Sequence, residues 1–265
     1  MGRIGERFAA LRAAGDKALV PFITAGDPDL ETTGELVLAL AESGADMIEL
    51  GVPFSDPSAE GPTIQRASER ALARGTTLRR TLALVAKLRA QVSVPLILMG
   101  YANPYYALGV DGCARACADA GVDGLICPDL PPEEGRDLYA ALAKHGIDGV
   151  LLASPTTTPE RMRLLVEHTR GFLYYVSLTG VTGARGALAA GIEAGVAAIR
   201  RLGDVPVCVG FGISRPEHAA EIGRFADGVA VGSAIVDRIE AASSPAAAVD
   251  AVARFARELK AALRR

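Results

Sequence analysis

Short apolar runs recur along the chain with amphipathic stretches between them. Leu19 to Ile23, Met47 to Leu50, Pro95 to Met99, Gly124 to Cys127, Gly149 to Leu152, Phe172 to Val176, Val205 to Val209 and Gly228 to Val231 are nearly continuous in apolar character. That is the pattern of parallel strands buried on both faces. Between them, Leu78, Leu82, Val85 and Leu88 repeat at helical spacing, as do Val249, Val252, Phe255, Leu259 and Leu263 near the end. Met1 to Lys17 alternates charged and apolar residues as an amphipathic helix does. Eight strands alternating with helices over about 250 residues is what a (β/α)8 TIM barrel requires, whereas a doubly wound sheet needs fewer strands and a longer second region. The expected fold is therefore α/β, one TIM-barrel domain spanning 1–265. No low-complexity stretch or linker divides the chain, and Ser243-Ser244-Pro245 reads as a loop before the last helix.

Composition narrows the function classes. The chain has 265 residues and 27.4 kDa, a length that α/β barrels use for a single domain. A formal charge of -3 and a pI near 5.7, without a basic stripe, argue against nucleic acid as a partner. No run approaches the ~18 apolar residues of a membrane span. Cys113, Cys117, Cys127 and Cys208 lack CxxC spacing and sit in apolar or helical segments, so buried thiols in a reducing compartment, the cytoplasm, are expected. His145, His168 and His218 show no HxH or HExxH spacing, and no metal site is expected. Asp27, Asp56 and Glu60 could together hold Mg2+, but nothing in their spacing enforces convergence.

Candidate chemistry concentrates in the run from Glu49 to Gln65. Glu49 ends an apolar strand and Glu60 precedes the proline of a helix start, Gly61-Pro62. In a parallel barrel that edge is where ligands bind, and two carboxylates there suit acid-base work. A strand-end charge paired with arginine is the plainer reading of Glu49, but glutamate is unfavourable in a buried strand, so catalysis is favoured. From spacing alone Glu60 serves a helix dipole as well as it serves catalysis. Tyr101 and Tyr174 can place hydroxyls in the pocket or pack in the core with the hydroxyl satisfied. Later, Gly210-Phe211-Gly212-Ile213-Ser214 and Gly232-Ser233-Ala234-Ile235 follow the seventh and eighth strands, and Gly180-Val181-Thr182-Gly183 offers a closing loop. Each glycine cluster alone permits a tight turn; together, at this end of a barrel, they favour phosphate, with a helix beginning at Ser233 aimed at it.

Several of these segments resemble the tryptophan synthase α-subunit family: PFITAGDP at Pro21 to Pro28, ELGVPFSDP at Glu49 to Pro57, GPTIQ at Gly61 to Gln65, GVTG at Gly180 to Gly183, GFGIS at Gly210 to Ser214 and VGSAIV at Val231 to Val236. The resemblance covers essentially the whole chain. It implies a TIM-barrel lyase that cleaves indole-3-glycerol phosphate to indole and glyceraldehyde 3-phosphate without a cofactor of its own. The indole would pass to a β subunit carrying pyridoxal phosphate, in an α2β2 complex, with the loop from Pro53 to Pro62 and the Asn103-Pro104 turn at the β contact. By the same resemblance Glu49 protonates indole C3 and then accepts the side-chain hydroxyl proton. The second acid, at Glu60, stabilises the indole N1–H; Tyr174 and the loop residue Thr182 hold that acid. Phe22 and Ile64 line the indole pocket, and Gly183, Gly212, Gly232 and Ser233 bind phosphate.

The sequence departs from that family at Glu60, where the family has aspartate. The extra methylene displaces the carboxylate by about 1 Å, a shift that can cost ~100-fold in rate. The ~0.4-unit difference between reference carboxyl pKa values, about 0.5 kcal/mol, is the smaller effect. Weakened or retuned chemistry is therefore expected, and two alternatives stand beside a working α subunit: a stand-alone indole-glycerol phosphate lyase, and a catalytically weakened regulatory partner of β. A second departure, Leu178 where some relatives carry arginine, adds little.

Overall fold

The computed structural model describes residues 2–176, 185–210 and 212–264. Strands β1 (Ala18–Thr24), β2 (Ile48–Gly51), β3 (Leu96–Met99), β4 (Gly124–Ile126), β5 (Asp148–Ala153), β6 (Leu173–Val176), β7 (Val207–Gly210) and β8 (Gly228–Val231) pair in parallel in chain order. β8 closes on β1 with Ala18 opposite Gly228 and Pro21 opposite Val231. Helices α1 (Arg3–Ala14), α2 (Leu30–Glu42), α3 (Pro62–Ala73), α4 (Leu78–Arg89), α5 (Ala102–Tyr106), α6 (Val110–Ala120), α7 (Arg136–Lys144), α8 (Pro159–His168), α9 (Arg185–Arg200), α10 (Pro216–Gly223), α11 (Ser233–Ala241) and α12 (Pro245–Leu263) intervene. The expected TIM barrel is present, each strand within two residues of its apolar run. β7 begins at Val207 rather than Val205 because Pro206 has no N–H for the ladder; it contributes only its carbonyl, which accepts from Leu173 N–H at 2.8 Å.

Alternation along the strands splits the core in two. Leu19, Ile23, Ile48, Leu50, Leu96 and Leu98 point outward and pack under the helices. Ala18, Val20, Met47, Ile97, Ile126, Val150, Phe172 and Cys208 point inward and fill the barrel. Ile4, Phe8 and Leu11 of α1 join that inner cluster, with the Phe8 and Phe172 rings 5.9 Å apart, so α1 stoppers the N-terminal end. The C-terminal end, where the strands release their loops, is left for ligands.

The ends of the chain are locked by a buried ion cluster. Lys260, late in α12, is 3 % exposed; its Nζ lies 2.9 Å from both Asp46 and Asp16 and donates to the Lys17 carbonyl at 2.7 Å. Asp46 also accepts from Arg7 and from Leu19 N–H. Ser244 caps α12 by accepting Ala247 N–H at 3.2 Å, and Pro245 occupies the first helical turn. Lys260→Ala should lower unfolding free energy by about 3 kcal/mol, the low end for a broken buried pair, since Asp46 keeps its other partners. Urea unfolding checks this; a loss below ~1 kcal/mol would show that the cluster is held chiefly by Arg7.

Candidate active site

The inward parity that packs Met47 also turns Glu49 into the barrel, opposite Phe22 on β1 and Ile97 on β3. Glu49 is 0 % exposed, and neither carboxyl oxygen has a hydrogen-bond partner among the described residues. Removal from water pushes its pKa up to about 8, so at neutral pH the acid holds its proton. Burial drives the Tyr174 phenol well above its usual range, and the nearby Glu49 carboxylate adds to that shift. A buried carboxylic acid without a partner among the described residues costs stability, and at the C-terminal end of a barrel strand it is a candidate for acid-base catalysis.

The second acid is held by a different tyrosine from the one expected. The Tyr101 hydroxyl donates to Glu60 Oε2 and accepts the Ala59 N–H at 2.8 Å. Tyr174, which the resemblance assigns to Glu60, instead stands on β6 beside Glu49. Tyr101 leaves β3, beside the β2–α3 loop that carries Glu60, whereas Tyr174 reaches across the barrel from β6 to Glu49 on β2 itself. Glu60 is half-buried; burial raises its pKa, the Tyr101 hydrogen bond lowers it, and Asp129 raises it. Gln65 Nε2 donates to the Glu60 carbonyl at 2.9 Å and anchors the loop end to α3.

Beside the acids stands an apolar wall. Phe22, Ile64 and Met99 pack with Ala67 and Val236. Met99, Ala67 and Val236 were not singled out from sequence; Met99 shares inward parity with Ile97 and was legible on that ground. Gly210 faces Tyr174 so closely that a Cβ there would lie 2.4 Å from the ring, which fixes glycine at the end of β7. Gly232 caps α11 near Ile64 and Phe22, and Ser233 is exposed as its first residue. Ile235 and Val236 N–H bond back to the Gly232 carbonyl, while the preceding N–H groups have no partner within the helix and form its positive end. Among the described residues, nothing lies within 4 Å of where a Cβ on Gly212 would stand. Thr182 and Gly183, with the rest of 177–184, and Phe211 lie outside the described residues.

An ionic brace joins α3, at the end of the acid loop, to α11. Arg70 on α3 binds Asp27 through both carboxylate oxygens, at 2.8 and 2.9 Å, and reaches Glu240 on α11 at 2.7 Å. Arg66 meets Glu240 as well, and Thr63 donates to Asp237 at 2.9 Å. Asp27 is thus engaged by Arg70 and does not join Asp56 and Glu60 in a ligand cluster; among the described residues no group of three or more acid, histidine or cysteine side chains is arranged to hold a metal ion. Cys113, Cys117, Cys127 and Cys208 are buried free thiols. No described helix is long and apolar enough to cross a membrane.

At its mouth the parallel barrel brings together a neutral buried acid, a second loop acid, an apolar wall and a helix N-terminus, groups suited to acid-base chemistry. A sequence profile described as tryptophan synthase alpha chain matches residues 8–264. The chain is 54% identical over 240 residues to the tryptophan synthase alpha chain of Citrifermentans bemidjiense, covering 91% of this chain and 90% of that one. It is 49% identical over 266 residues to that of Chloroflexus aggregans, covering 100% and 99%. A crystal structure of tryptophan synthase subunit alpha from Legionella pneumophila superposes with a TM-score of 0.91 at 41% identity, over 100% of this chain and 99% of that one. A tryptophan synthase structure from M. tuberculosis superposes with a TM-score of 0.90 at 38% identity, over 100% and 99%. The chain belongs to the tryptophan synthase alpha chain family.

Proposed function

We propose that this chain is the lyase component of tryptophan biosynthesis, cleaving indole-3-glycerol phosphate to indole and glyceraldehyde 3-phosphate. The observation that carries the reading is Glu49, buried without a partner among the described residues and protonated at neutral pH. It delivers its proton to indole C3. The resulting carboxylate takes the proton from the hydroxyl on the adjacent side-chain carbon, the carbon-carbon bond breaks, and the hydroxyl carbon leaves as an aldehyde; Glu49 ends protonated as it began. Glu60, oriented by Tyr101, accepts a hydrogen bond from the indole N1–H as positive charge grows on the ring. Phe22 and Ile64 flank the ring, and Gly212, Gly232 and Ser233, with Gly183 of the loop, receive the phosphate.

None of these steps calls on a cofactor in this chain. The partner is a tryptophan synthase β subunit, which carries pyridoxal phosphate and receives the indole in an α2β2 complex. The loop from Pro53 to Pro62 and Asn103-Pro104, which the structure places in α5 rather than a turn, lie at the same end of the barrel as Glu49 and form the contact. The deciding experiment measures indole release from indole-3-glycerol phosphate by the chain alone and with a β subunit added. Low activity that rises at least tenfold with β is the expected result. High activity without β would identify a free lyase, and none in either case would leave a regulatory partner.

A further inference from the structure

Tyr101 touches the β2–α3 loop at three separate points. Its hydroxyl donates to Glu60 and accepts from Ala59, and its ring stacks on Phe54 with centroids 5.1 Å apart and planes 24° from parallel. The tyrosine is 3 % exposed. Its backbone is fixed from the far side: Gly100 N–H donates to the Ile126 carbonyl at 3.1 Å, and Ala102 N–H donates to Asp129 Oδ1 at 3.0 Å. A phenol has one proton to donate, and here it goes to one oxygen of the Glu60 carboxylate, leaving Oε1 for a substrate donor.

We propose that Tyr101 is the positioning residue for Glu60, and that its placement makes glutamate, not aspartate, the acid that fits this barrel. The inference rests on the reading of Glu60 as the group that meets the indole N1–H. A side chain one methylene shorter, starting from the same backbone, falls about 1 Å short and gives up either the phenol or the substrate. The extra methylene in this sequence is therefore taken up by the reach to Tyr101. This reverses the sign expected from sequence: Glu60→Asp lowers the rate.

Two features separate positioning of Glu60 from a general stiffening of the loop. The Ala59 bond is lost in Tyr101→Phe whichever acid stands at the Glu60 position, so a stiffening role predicts equal losses in the parent and E60D backgrounds. The phenol also favours the ionised carboxylate, with Asp129 on the β4 side opposing it. Removing the phenol moves the low-pH limb of kcat/KM to higher pH, which loop stiffening alone does not do.

The test compares the parent chain, Y101F, E60D and the double variant, each with a β subunit present, for indole release across pH and for affinity toward 3-(indol-3-yl)propyl phosphate, which cannot react. Phenylalanine keeps the stacking on Phe54, and thermal melting confirms that each variant folds. Y101F is expected to lose about 10- to 30-fold in kcat with KM within about twofold, E60D about 100-fold, and the double variant no more than E60D. Y101F should also shift the acid limb upward. Additive losses, an unmoved acid limb, or an E60D enzyme as fast as the parent would each overturn the proposal. If the parent releases no indole, the functional reading fails by itself, and the pair is judged on the pH dependence of analogue binding: an acid limb that Y101F moves upward sustains the positioning role, an unmoved limb refutes it.

Discussion

Glutamine in place of Glu49 is expected to lower the turnover of indole release by about 10³-fold, with KM changed by less than about threefold. The amide keeps the shape and the burial of the acid, yet it neither gives a proton to C3 nor takes one from the hydroxyl. The same substitution has a stability signature that identifies the cause. The buried carboxyl has a pKa of about 8, against 4.5 ordinarily. Below about pH 4.5 both folded and unfolded chains hold the proton, and there is no pH-dependent penalty. Between 4.5 and 8 the unfolded chain ionises while the folded one stays neutral, so stability falls as pH rises, and above 8 the loss is complete. For a shift of this size the full loss is on the order of 4 to 5 kcal/mol. Glutamine does not titrate, so E49Q should gain on the parent steadily from about pH 5 to about 8.5. Urea unfolding at several pH values, alongside single-turnover kinetics, reads both effects. A stability difference flat with pH would mean that Glu49 ionises normally and that the proposed proton donor is mostly charged at neutral pH.

The barrel was legible because its signal is local and repeated. Each apolar run is long enough to be a strand and each intervening stretch carries helical spacing, so closure follows from the count. Glu49 was legible for a related reason: a charge one residue from the end of an apolar strand, two residues after Met47 and therefore on the same face, has to enter the barrel. What was not legible depends on how separate loops meet. Asp27 reads in sequence as a carboxylate that could hold Mg2+ with Asp56 and Glu60, but Arg70, forty-three positions later, brings a bidentate contact that no periodicity announces. Tyr101 and Tyr174 look alike along the chain, each at or just after a strand. Only the closed barrel separates them: Tyr101, just past β3, meets the neighbouring loop that carries Glu60, while Tyr174, within β6, faces Glu49 across the barrel. The family pattern assigned Glu60 to Tyr174 and compared acid lengths as though the surroundings were constant. In the folded chain the longer acid has a phenol to meet.

Removing the charge of Glu60 while keeping its length separates its electrostatic role from its geometry. Glu60→Gln retains an oxygen to accept from Tyr101, so the loop should hold its place, but the side chain no longer offsets positive charge on the indole ring. A loss of about 10²- to 10³-fold in kcat is expected, comparable to deleting one preorganised electrostatic contact, with KM changed little because the charge develops only after the substrate is bound. The pH profile of kcat/KM makes the assignment specific. The parent needs Glu60 ionised and Glu49 protonated, so its activity should rise through the Glu60 titration, reach a plateau, and fall near about pH 8 as Glu49 loses its proton. In E60Q the rising limb should vanish and the falling limb remain, whereas in E49Q the falling limb is the one to disappear from the residual rate. A rising limb that survives in E60Q would transfer that ionisation to another group, and with it the role of ring stabiliser. If the limbs separate as expected, two carboxyls at one barrel mouth divide the work by environment: the dry one moves the proton, and the one held by a phenol keeps its charge.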